Sequence, residues 1–283
     1  MTFFMVRNTP GDPFSDDKEL DKETIENLNK YFHMDKPMGI QYLIMLGNVI
    51  RLDFGPSMKN QDKTVNQIIA THLPVSIKLG IISMIIALWI GISAGIISAL
   101  RANTLLDYSA MSATVLGISL PTFVFGPLLQ IAFSMKYDLL PLDGVDSWQC
   151  FILPSFTLAL PFASRFARLM RAGMLDILSE DFIKTARSKG LSERTIIIRH
   201  ALRGGILPCV SFLGPAVAAV LTGSMVIEHI FSIPGLGEEF VKSAQNRDYT
   251  LVMGTTIVYG AMIVVFNLIC DASYAILDPR VDD

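Results

Sequence analysis

Five long stretches of the chain contain no Asp, Glu, Lys or Arg, and they constrain the fold more than any other feature. A helix rises about 1.5 Å per residue, so about 20 residues cross a hydrocarbon core of about 30 Å. Four stretches reach that length, and the third, with 18 uncharged residues, reaches it by running through Arg165 and Arg168. Arginines near a helix end can extend to the membrane surface. We therefore expect five membrane-spanning helices, at residues 79–100, 108–135, 147–164, 204–227 and 249–270.

The composition agrees with that of a membrane protein. Charged residues make up 17% of the chain, whereas an average soluble domain has about 25%. The net charge of −3 is too small to indicate a nucleic-acid partner. The cysteines, Cys150, Cys209 and Cys270, lie far apart and form no CxxC pair. We expect free thiols that act as small apolar side chains.

The charges of the short connections predict the orientation of the chain. Residues 165–203 carry nine Lys or Arg against four Asp or Glu, whereas residues 136–146 and 228–248 are acidic overall. Cytoplasmic loops collect Lys and Arg, which places 165–203 inside and the two acidic loops outside. Alternation of the spans then places the C-terminus in the cytoplasm and residues 7–75 outside.

The N-terminal region differs from the rest of the chain. Residues 1–6 are apolar but too short to span a membrane, and we interpret them as the end of a longer hydrophobic segment. Residues 7–75 carry eight Lys or Arg and ten Asp or Glu, with one helical pattern near 21–32. This region is too polar for a core of its own, so we expect it to pack on the membrane domain or on a partner.

Proline and glycine occur freely inside the predicted spans, for example at Gly91, Gly95, Pro121 and Pro127. One explanation is that membrane helices tolerate these residues, and that small side chains allow close packing. The other is that the helices kink and slide around a translocation path. The sequence alone leaves both explanations open.

A charge-rich segment between the third and fourth predicted spans has the pattern of an ordered helix. Ser179 is a suitable N-cap, acidic residues follow it, basic residues come last, and Gly190 can close the helix in a left-handed turn. Phe182, Ile183 and Ala186 fall toward one face. A helix of about ten residues is marginal alone in water, so we expect it to dock against a surface. The alternative is a solvated loop that is basic only because it lies inside.

Several motifs resemble those of one family of membrane proteins. KTARSKG, at Lys184–Gly190, resembles the cytoplasmic E-A-A-x-x-x-G loop of ABC importer membrane subunits. In the peptide-importer branch its first two positions commonly read Lys or Arg and then Thr, as here. Other branches have a proline soon after the glycine, where Arg203 stands in this chain. The further motifs are RNTPGDPF (Arg7–Phe14), LDFGPS (Leu52–Ser57), RHALRGGILP (Arg199–Pro208), TGSMVIEHIFSIPGLGEEF (Thr222–Phe240), NRDYTLV (Asn246–Val252) and YAILDPR (Tyr274–Arg280).

Together these motifs are most similar to the first membrane subunit of oligopeptide permeases, in the peptide and nickel branch. The resemblance implies an all-α, polytopic transmembrane helix bundle with the ABC importer type I permease fold, in a bacterial inner membrane. The family has six spans, so the chain would hold five full spans plus a truncated first span, through a late start site or a truncated gene. Residues 1–75 would be the remnant of that span plus an extracytoplasmic segment. Residues 76–278 would be the transmembrane domain, with a cytoplasmic coupling loop at 165–203.

The resemblance also implies partners. A second homologous permease subunit would complete the pathway, two cytoplasmic ATPase subunits would bind the ATP, and an extracytoplasmic peptide-binding protein would deliver the cargo. We therefore expect no cofactor in this chain. The charge-rich helix would be the coupling helix, seated in a groove of one ATPase. Its predicted residues are Glu180, Asp181, Phe182, Ile183, Lys184, Thr185, Ala186, Arg187, Gly190 and Leu191.

A turn-rich element, Ile233–Gly237, lies on the predicted outer side of the membrane. Since the family has this region beside the outer mouth, we expect an outer gate or a contact for the binding protein there. The residues concerned are Glu228, Pro234, Gly235 and Gly237. The alternative is a plain connector.

Other classes of function lack the residues they need. The sequence has no GxxxxGK[ST] loop for nucleotide phosphates, no HExxH pair and no zinc-ligand spacing, so we expect neither catalysis nor a metal site. A proton-coupled carrier usually needs ionisable groups at membrane depth. The candidates here, Glu228, Asp271, Arg165 and Arg168, stand at span ends. We interpret Arg165, Arg168 and Arg171 as interface anchors rather than as substrate ligands.

The sequence thus favours a permease subunit of an ATP-driven oligopeptide importer. The same scaffold with another cargo is the first alternative: dipeptides, nickel chelates or glutathione. A secondary carrier or membrane scaffold that works without ATPases is the alternative from another class.

Overall fold

The computed structural model describes residues 2–8, 22–60 and 62–277. Within those ranges the regular elements are helices, apart from an isolated antiparallel bridge between Pro56 and Thr64. The all-α prediction is confirmed. Motif residues 9–14 and 278–280 lie outside the described residues.

The described part of the chain holds thirteen α-helices. A 3-10 turn at Trp148–Phe151 precedes the seventh helix, and π-helical turns at Gln130–Lys136 and Ile196–Ala201 continue the sixth and the ninth. The helices are α1 (Thr2–Asn8), α2 (Lys22–Tyr31), α3 (Met38–Ile50), α4 (Val65–Leu100), α5 (Leu105–Ser119), α6 (Thr122–Leu129), α7 (Ile152–Ser179), α8 (Asp181–Ser188), α9 (Glu193–Thr195), α10 (Leu202–Gly205), α11 (Leu207–Ile230), α12 (Leu236–Gln245) and α13 (Tyr249–Leu277).

The candidate membrane spans coincide with the charge-free stretches. Among the described residues, four helices are long and apolar enough to cross a membrane: α4, α7 with its preceding turn, α11 and α13. The pair formed by α5 and α6 counts as a fifth span if the two are taken together. The position of each predicted stretch is therefore confirmed, whereas the number of crossings stays a prediction.

The second predicted span is broken rather than straight. The axes of α5 and α6 differ by 103° across a short break at Leu120 and Pro121. Leu120 is extended, with φ −84° and ψ 116°. A proline ring disfavours the helical region for the residue before it. Pro121 thus accounts for the break, whereas sliding of the helices around a translocation path stays a prediction.

The chain divides into two compact units. The larger unit comprises Ser76–Ile233 and Met262–Asp283, and the smaller unit comprises Met1–Val75 and Pro234–Ala261. Helices α4 and α13 contribute residues to both units, since each runs across a boundary.

The larger unit is built around α7, which packs against α5 and α11. Phe166, Met170 and Met174 are completely buried on this helix. Their spacing of four residues places them on one face, because a helix turns about once in 3.6 residues. The centre of α7 is therefore a protein interior rather than a surface.

Close approach of α4 to α7 depends on two glycines. A Cβ atom at Gly91 would lie 2.6 Å from the carbonyl oxygen of Ala163, and one at Gly95 would lie 2.6 Å from that of Ala167. Only a residue without a side chain leaves room for the backbones to approach in this way. At these positions the close-packing explanation for the glycines is supported.

The smaller unit has a modest core that two distant segments share. Met58 and Tyr249 are buried there. The helical pattern predicted near 21–32 is confirmed as α2. Side chains of the polar N-terminal region thus pack on the first residue of α13, within the smaller unit. The side chains packed against Met58 and Tyr249 are those of Val6, Ile25, Leu28, Phe32 and Met34.

Candidate functional site

The predicted coupling segment is an ordered helix, α8, that follows α7 directly. Glu180 separates the two helices with an extended backbone, φ −68° and ψ 149°, and it occupies the N-cap position. The assignment of Ser179 as N-cap was wrong by one residue. Because α7 continues through Ser179, the hydroxyl group of Ser179 instead donates to the carbonyl oxygen of Asp176 at 2.7 Å.

The end of α8 has the predicted left-handed turn. Gly190 has φ +77°, a conformation that costs glycine little and other L-residues more. The amide of Gly190 donates to the carbonyl of Arg187 at 2.9 Å, and the amide of Leu191 donates to that of Ala186 at 3.3 Å. These bonds satisfy carbonyl groups that the last turn of a helix leaves open.

The apolar face of α8 is covered by the chain itself. Ile183 is 0% exposed and Ala186 is 7% exposed, because α8 packs against α7 and the π-helical turn Ile196–Ala201. The prediction that Phe182 shares this face with Ile183 and Ala186 was wrong, because 48% of the surface of Phe182 is exposed. Its neighbour Ile183 takes the inward position, and the turn of about 100° per residue directs Phe182 outward.

The outward face of α8 combines one aromatic ring with charged side chains. Asp181, Lys184 and Arg187 are exposed, as is Phe182. The surface that is free for a partner is therefore this mixed face, whereas the buried pair Ile183 and Ala186 fixes α8 to its own chain.

An ion pair between Arg187 and Glu193 connects α8 to the segment that follows it. Arg187 Nε donates to Glu193 Oε1 at 2.8 Å, and Arg187 Nη2 donates to Glu193 Oε2 at 3.3 Å. The hydrogen bond from Arg187 lowers the pKa of Glu193, and the hydrogen bond to Glu193 raises the pKa of Arg187. Both groups are exposed, so the pair adds little stability and serves to orient the turn between α8 and α9.

A buried ion pair that the sequence did not predict holds α5 to α7. Asp107 is 1% exposed, and its two carboxylate oxygens accept hydrogen bonds of 2.7 Å from Nε and Nη2 of Arg171. The carboxylate also accepts from the hydroxyl of Ser98, at the end of α4. The amide of Asn103 donates to it at 2.9 Å.

This pair changes the interpretation of Arg171 as an interface anchor. Its guanidinium group is engaged in a two-pronged contact with Asp107, which is a strong and geometrically specific form of ion pair. The two residues are 64 positions apart, so no local pattern could reveal them. The only sign of this pair in the sequence was that Asp107 stands at the edge of a charge-free stretch.

The four residues of the predicted outer gate fall into two groups. Pro234, Gly235 and Gly237 lie together at the start of α12, where Gly235 is the N-cap with φ −96° and ψ 175°. Gly235 and Gly237 are buried, and Nδ1 of His72 lies 2.9 Å from the carbonyl oxygen of Pro234. Glu228 is buried in α11, which belongs to the larger unit. The gate stays a prediction.

The described residues offer no arrangement for a metal ion. No group of three or more His, Cys, Asp or Glu side chains lies close enough to hold one within residues 2–8, 22–60 and 62–277. Cys209 is buried and unpaired, and Cys150 is a partly exposed free thiol. The side chain of Cys270 lies outside the described residues.

Comparison with known proteins gives consistent similarities. Residues 91–283 match the family described as "Binding-protein-dependent transport system inner membrane component". The chain is 42% identical over 282 residues to the oligopeptide transport system permease protein OppB of Haemophilus influenzae, covering 99% of this chain and 92% of that protein. It is 43% identical over 283 residues to OppB of Salmonella typhimurium, with the same coverage. The dipeptide transport system permease protein DppB of Bacillus subtilis is 41% identical over 281 residues, covering 99% of this chain and 91% of that protein.

Solved structures share the fold at low sequence identity. A chain of the MetNI methionine ABC transporter, in an inward-facing conformation, aligns with a TM-score of 0.64 and 13% identity over 75% of this chain and 97% of that chain. A chain of an amino acid ABC transporter crystallised with histidines aligns with a TM-score of 0.58 and 18% identity, over 74% of this chain and 94% of that chain. These similarities concern the fold alone.

Proposed function

Since the chain belongs to the family of binding-protein-dependent transport system inner membrane components, we propose that it is a permease subunit of an ATP-driven oligopeptide importer. It is a transport subunit rather than an enzyme. The observation that carries the proposal is the identity of 42% and 43%, over nearly the whole chain, to two oligopeptide permease subunits.

Helix α8 couples ATP hydrolysis by the partner subunits to movement of the membrane spans. The exposed face of this helix, which includes Phe182, docks in a groove of a cytoplasmic ATPase subunit. The other predicted coupling residues, from Glu180 to Leu191, either line that face or hold the helix in place. Closure of the ATPase pair then displaces α8, and α7 transmits the movement to α5 through Arg171 and Asp107. ATP must favour one state of the permease over the other, because a partner that bound both states equally would shift nothing.

The assembly has the composition expected of such importers. A second homologous permease subunit completes the pathway, two ATPase subunits bind ATP, and an extracytoplasmic peptide-binding protein supplies cargo. The chain lies in the bacterial inner membrane with its C-terminus in the cytoplasm. Residues 1–75 include the extracytoplasmic region, and residues 76–278 form the transmembrane domain. The start of α12, with Pro234, contributes to an outer gate or binding-protein contact.

Dipeptides are the second candidate cargo. The 41% identity to a dipeptide permease subunit supports it, because that value is close to the identity with the oligopeptide subunits. The permease fold does not distinguish the two.

The test is uptake by the whole assembly, reconstituted in liposomes with its ATPase subunits and binding protein. Labelled peptides of two to six residues are supplied one at a time, with ATP or a non-hydrolysable analogue. We expect ATP-dependent uptake of the longer peptides. Uptake of dipeptides alone would identify dipeptides as the cargo. Uptake without any ATPase subunit would overturn the proposal in favour of a secondary carrier.

A further inference from the structure

Two exposed arginines of α7, Arg165 and Arg168, play no part in the coupling described above. They line a groove of about 640 Å³ at the surface of the larger unit, between α7 and α11. The other side chains lining the groove are mostly apolar: Leu169, Pro208, Ser211, Phe212 and Pro215.

The guanidinium group of Arg165 is directed across to α11. Its Cζ atom lies 5.2 Å from the centre of the Phe212 ring, and that ring packs edge-on against Phe166 at 5.3 Å. Phe212 is five residues after Leu207, the first residue of α11, which is about 7.5 Å along the helix axis. Arg165 is thus held sideways on an aromatic face rather than extended toward the end of α7.

The position of Arg165 along α7 places it within the span. Arg171 lies level with the connection between α4 and α5, since its partner Asp107 stands three residues after Thr104 in that connection. Arg165 precedes Arg171 by six residues, which is about 9 Å farther along the helix axis from that connection. A charged side chain at such a level faces water, an opposite charge or the bundle interior, because lipid does not stabilise it. We therefore expect the groove to face water or the interior of the assembly rather than lipid.

Neither arginine has an acidic partner in the part of the chain that the structure describes. Ion pairs in that part of the chain engage other basic residues, among them Lys30, Arg171, Lys184, Arg187 and Lys242. Two guanidinium groups, one helical turn apart, therefore give the groove a positive charge that the described residues do not balance. The ligand that complements them carries at least one negative charge.

We propose that Arg165 and Arg168 bind the C-terminal carboxylate of a peptide as it passes through the permease. This inference rests on the proposed function and adds to it a recognition site. A guanidinium fork matches a carboxylate with two parallel hydrogen bonds. Every unmodified peptide carries that carboxylate whatever its side chains are. Phe212, with the prolines beside it, offers apolar contact without selecting one residue type.

The experiment compares a free-acid tripeptide with its C-terminal amide of the same sequence. The complete assembly is reconstituted in liposomes with saturating loaded binding protein, and the ratio of the two ATP-dependent uptake rates is measured. The variants are Arg165→Gln, Arg168→Gln, the double variant and Arg165→Lys. Any preference of the binding protein itself cancels when ratios are compared between variants. Arg101→Gln, at an exposed arginine outside the groove, is the matched control.

We expect the acid-to-amide ratio to be roughly tenfold lower in the double variant than in the wild type, as is typical for loss of a charged hydrogen bond. Arg165→Lys should fall between them, because it keeps the charge but loses the fork, and Arg101→Gln should match the wild type. An unchanged ratio overturns the inference. Equal loss of both peptides, with less assembled complex, also overturns it and assigns the arginines to a subunit contact or an interface anchor. Absence of all ATP-dependent peptide uptake in the wild type would overturn the proposed function as well.

Discussion

Ser57 donates a hydrogen bond to Asp248, which lies 191 residues farther along the chain. The same carboxylate accepts from the amide of Met58 at 3.2 Å and from that of Leu251, in the first turn of α13, at 3.0 Å. The motifs LDFGPS and NRDYTLV, separate in sequence, therefore meet at Asp248. One buried side chain both caps α13 and fixes the segment that precedes α4.

Replacement of Asp248 should loosen the smaller unit. We expect Asp248→Asn to lower the free energy of unfolding by roughly 1–3 kcal/mol, since buried donors lose a charged acceptor. Limited proteolysis between residues 22 and 60, with thermal unfolding in detergent, measures the effect. Asp53→Asn is the control, because Asp53 is exposed and accepts only from the amide of Gly55 among the hydrogen bonds described for it. Equal proteolysis of both variants would contradict the assignment.

The pair of Asp107 and Arg171 should matter to coupling as well as to stability. Removal of one partner of a buried pair costs roughly 3–5 kcal/mol, and partial exposure of Arg171 reduces that cost. We expect Asp107→Asn to lower the amount of folded protein. We expect the milder Arg171→Lys, which loses the fork, to fold but to hydrolyse ATP with less peptide uptake per ATP.

The ratio of peptide transported to ATP hydrolysed separates this role from a purely structural one. Arg203→Lys makes the same chemical change at an exposed arginine and should keep the wild-type ratio. An unchanged ratio in Arg171→Lys would show that the pair stabilises the fold without transmitting movement.

Phe182 and Ile183 should give opposite results although they are adjacent. Phe182→Ala removes an exposed ring and should leave folding intact while it weakens retention of the ATPase subunits. Ile183→Ala removes a completely buried side chain and should cost roughly 2–5 kcal/mol of stability. Co-purification of ATPase subunits and thermal unfolding are measured for both variants. Normal ATPase retention by Phe182→Ala would argue against the exposed face as the docking surface.

Gly190 should tolerate asparagine better than alanine. No atom lies within 4 Å of a Cβ built at this position, so the only penalty is backbone conformation at φ +77°. For alanine the left-handed conformation costs about 1–2 kcal/mol, whereas asparagine adopts it more readily. Thermal unfolding of Gly190→Ala and Gly190→Asn tests the difference. Equal stability of the two variants would mean that the turn relaxes.

The sequence predicted the features that depend on neighbouring residues. The charge-free stretches located α4, α7, α11 and α13, and the glycine after a basic turn located the end of α8. The features that it missed depend on distant residues. Asp107 contacts Arg171 only when α5 and α7 pack together. The sequence of α8 predicted an apolar face, but it did not show that other parts of the same chain cover that face.

The break between α5 and α6 is an intermediate case. Pro121 was visible in the sequence, but a proline in a membrane helix can be accommodated by a kink or by a full break. A kinked helix and a broken helix have the same hydrophobic composition, so the sequence predicted one span at residues 108–135. The extended backbone of Leu120 shows that the helix is broken at this point rather than kinked.

The central claim is that the exposed face of α8 contacts a separate ATPase. Its most direct test is photo-crosslinking in intact cells, with a benzophenone amino acid in place of Phe182 and, as a control, of Trp89, which is 74% exposed on α4. We predict an adduct with an ATPase subunit from position 182 alone, with a yield that changes when ATP hydrolysis is blocked. No adduct from position 182, or equal adducts from both positions, would contradict the account.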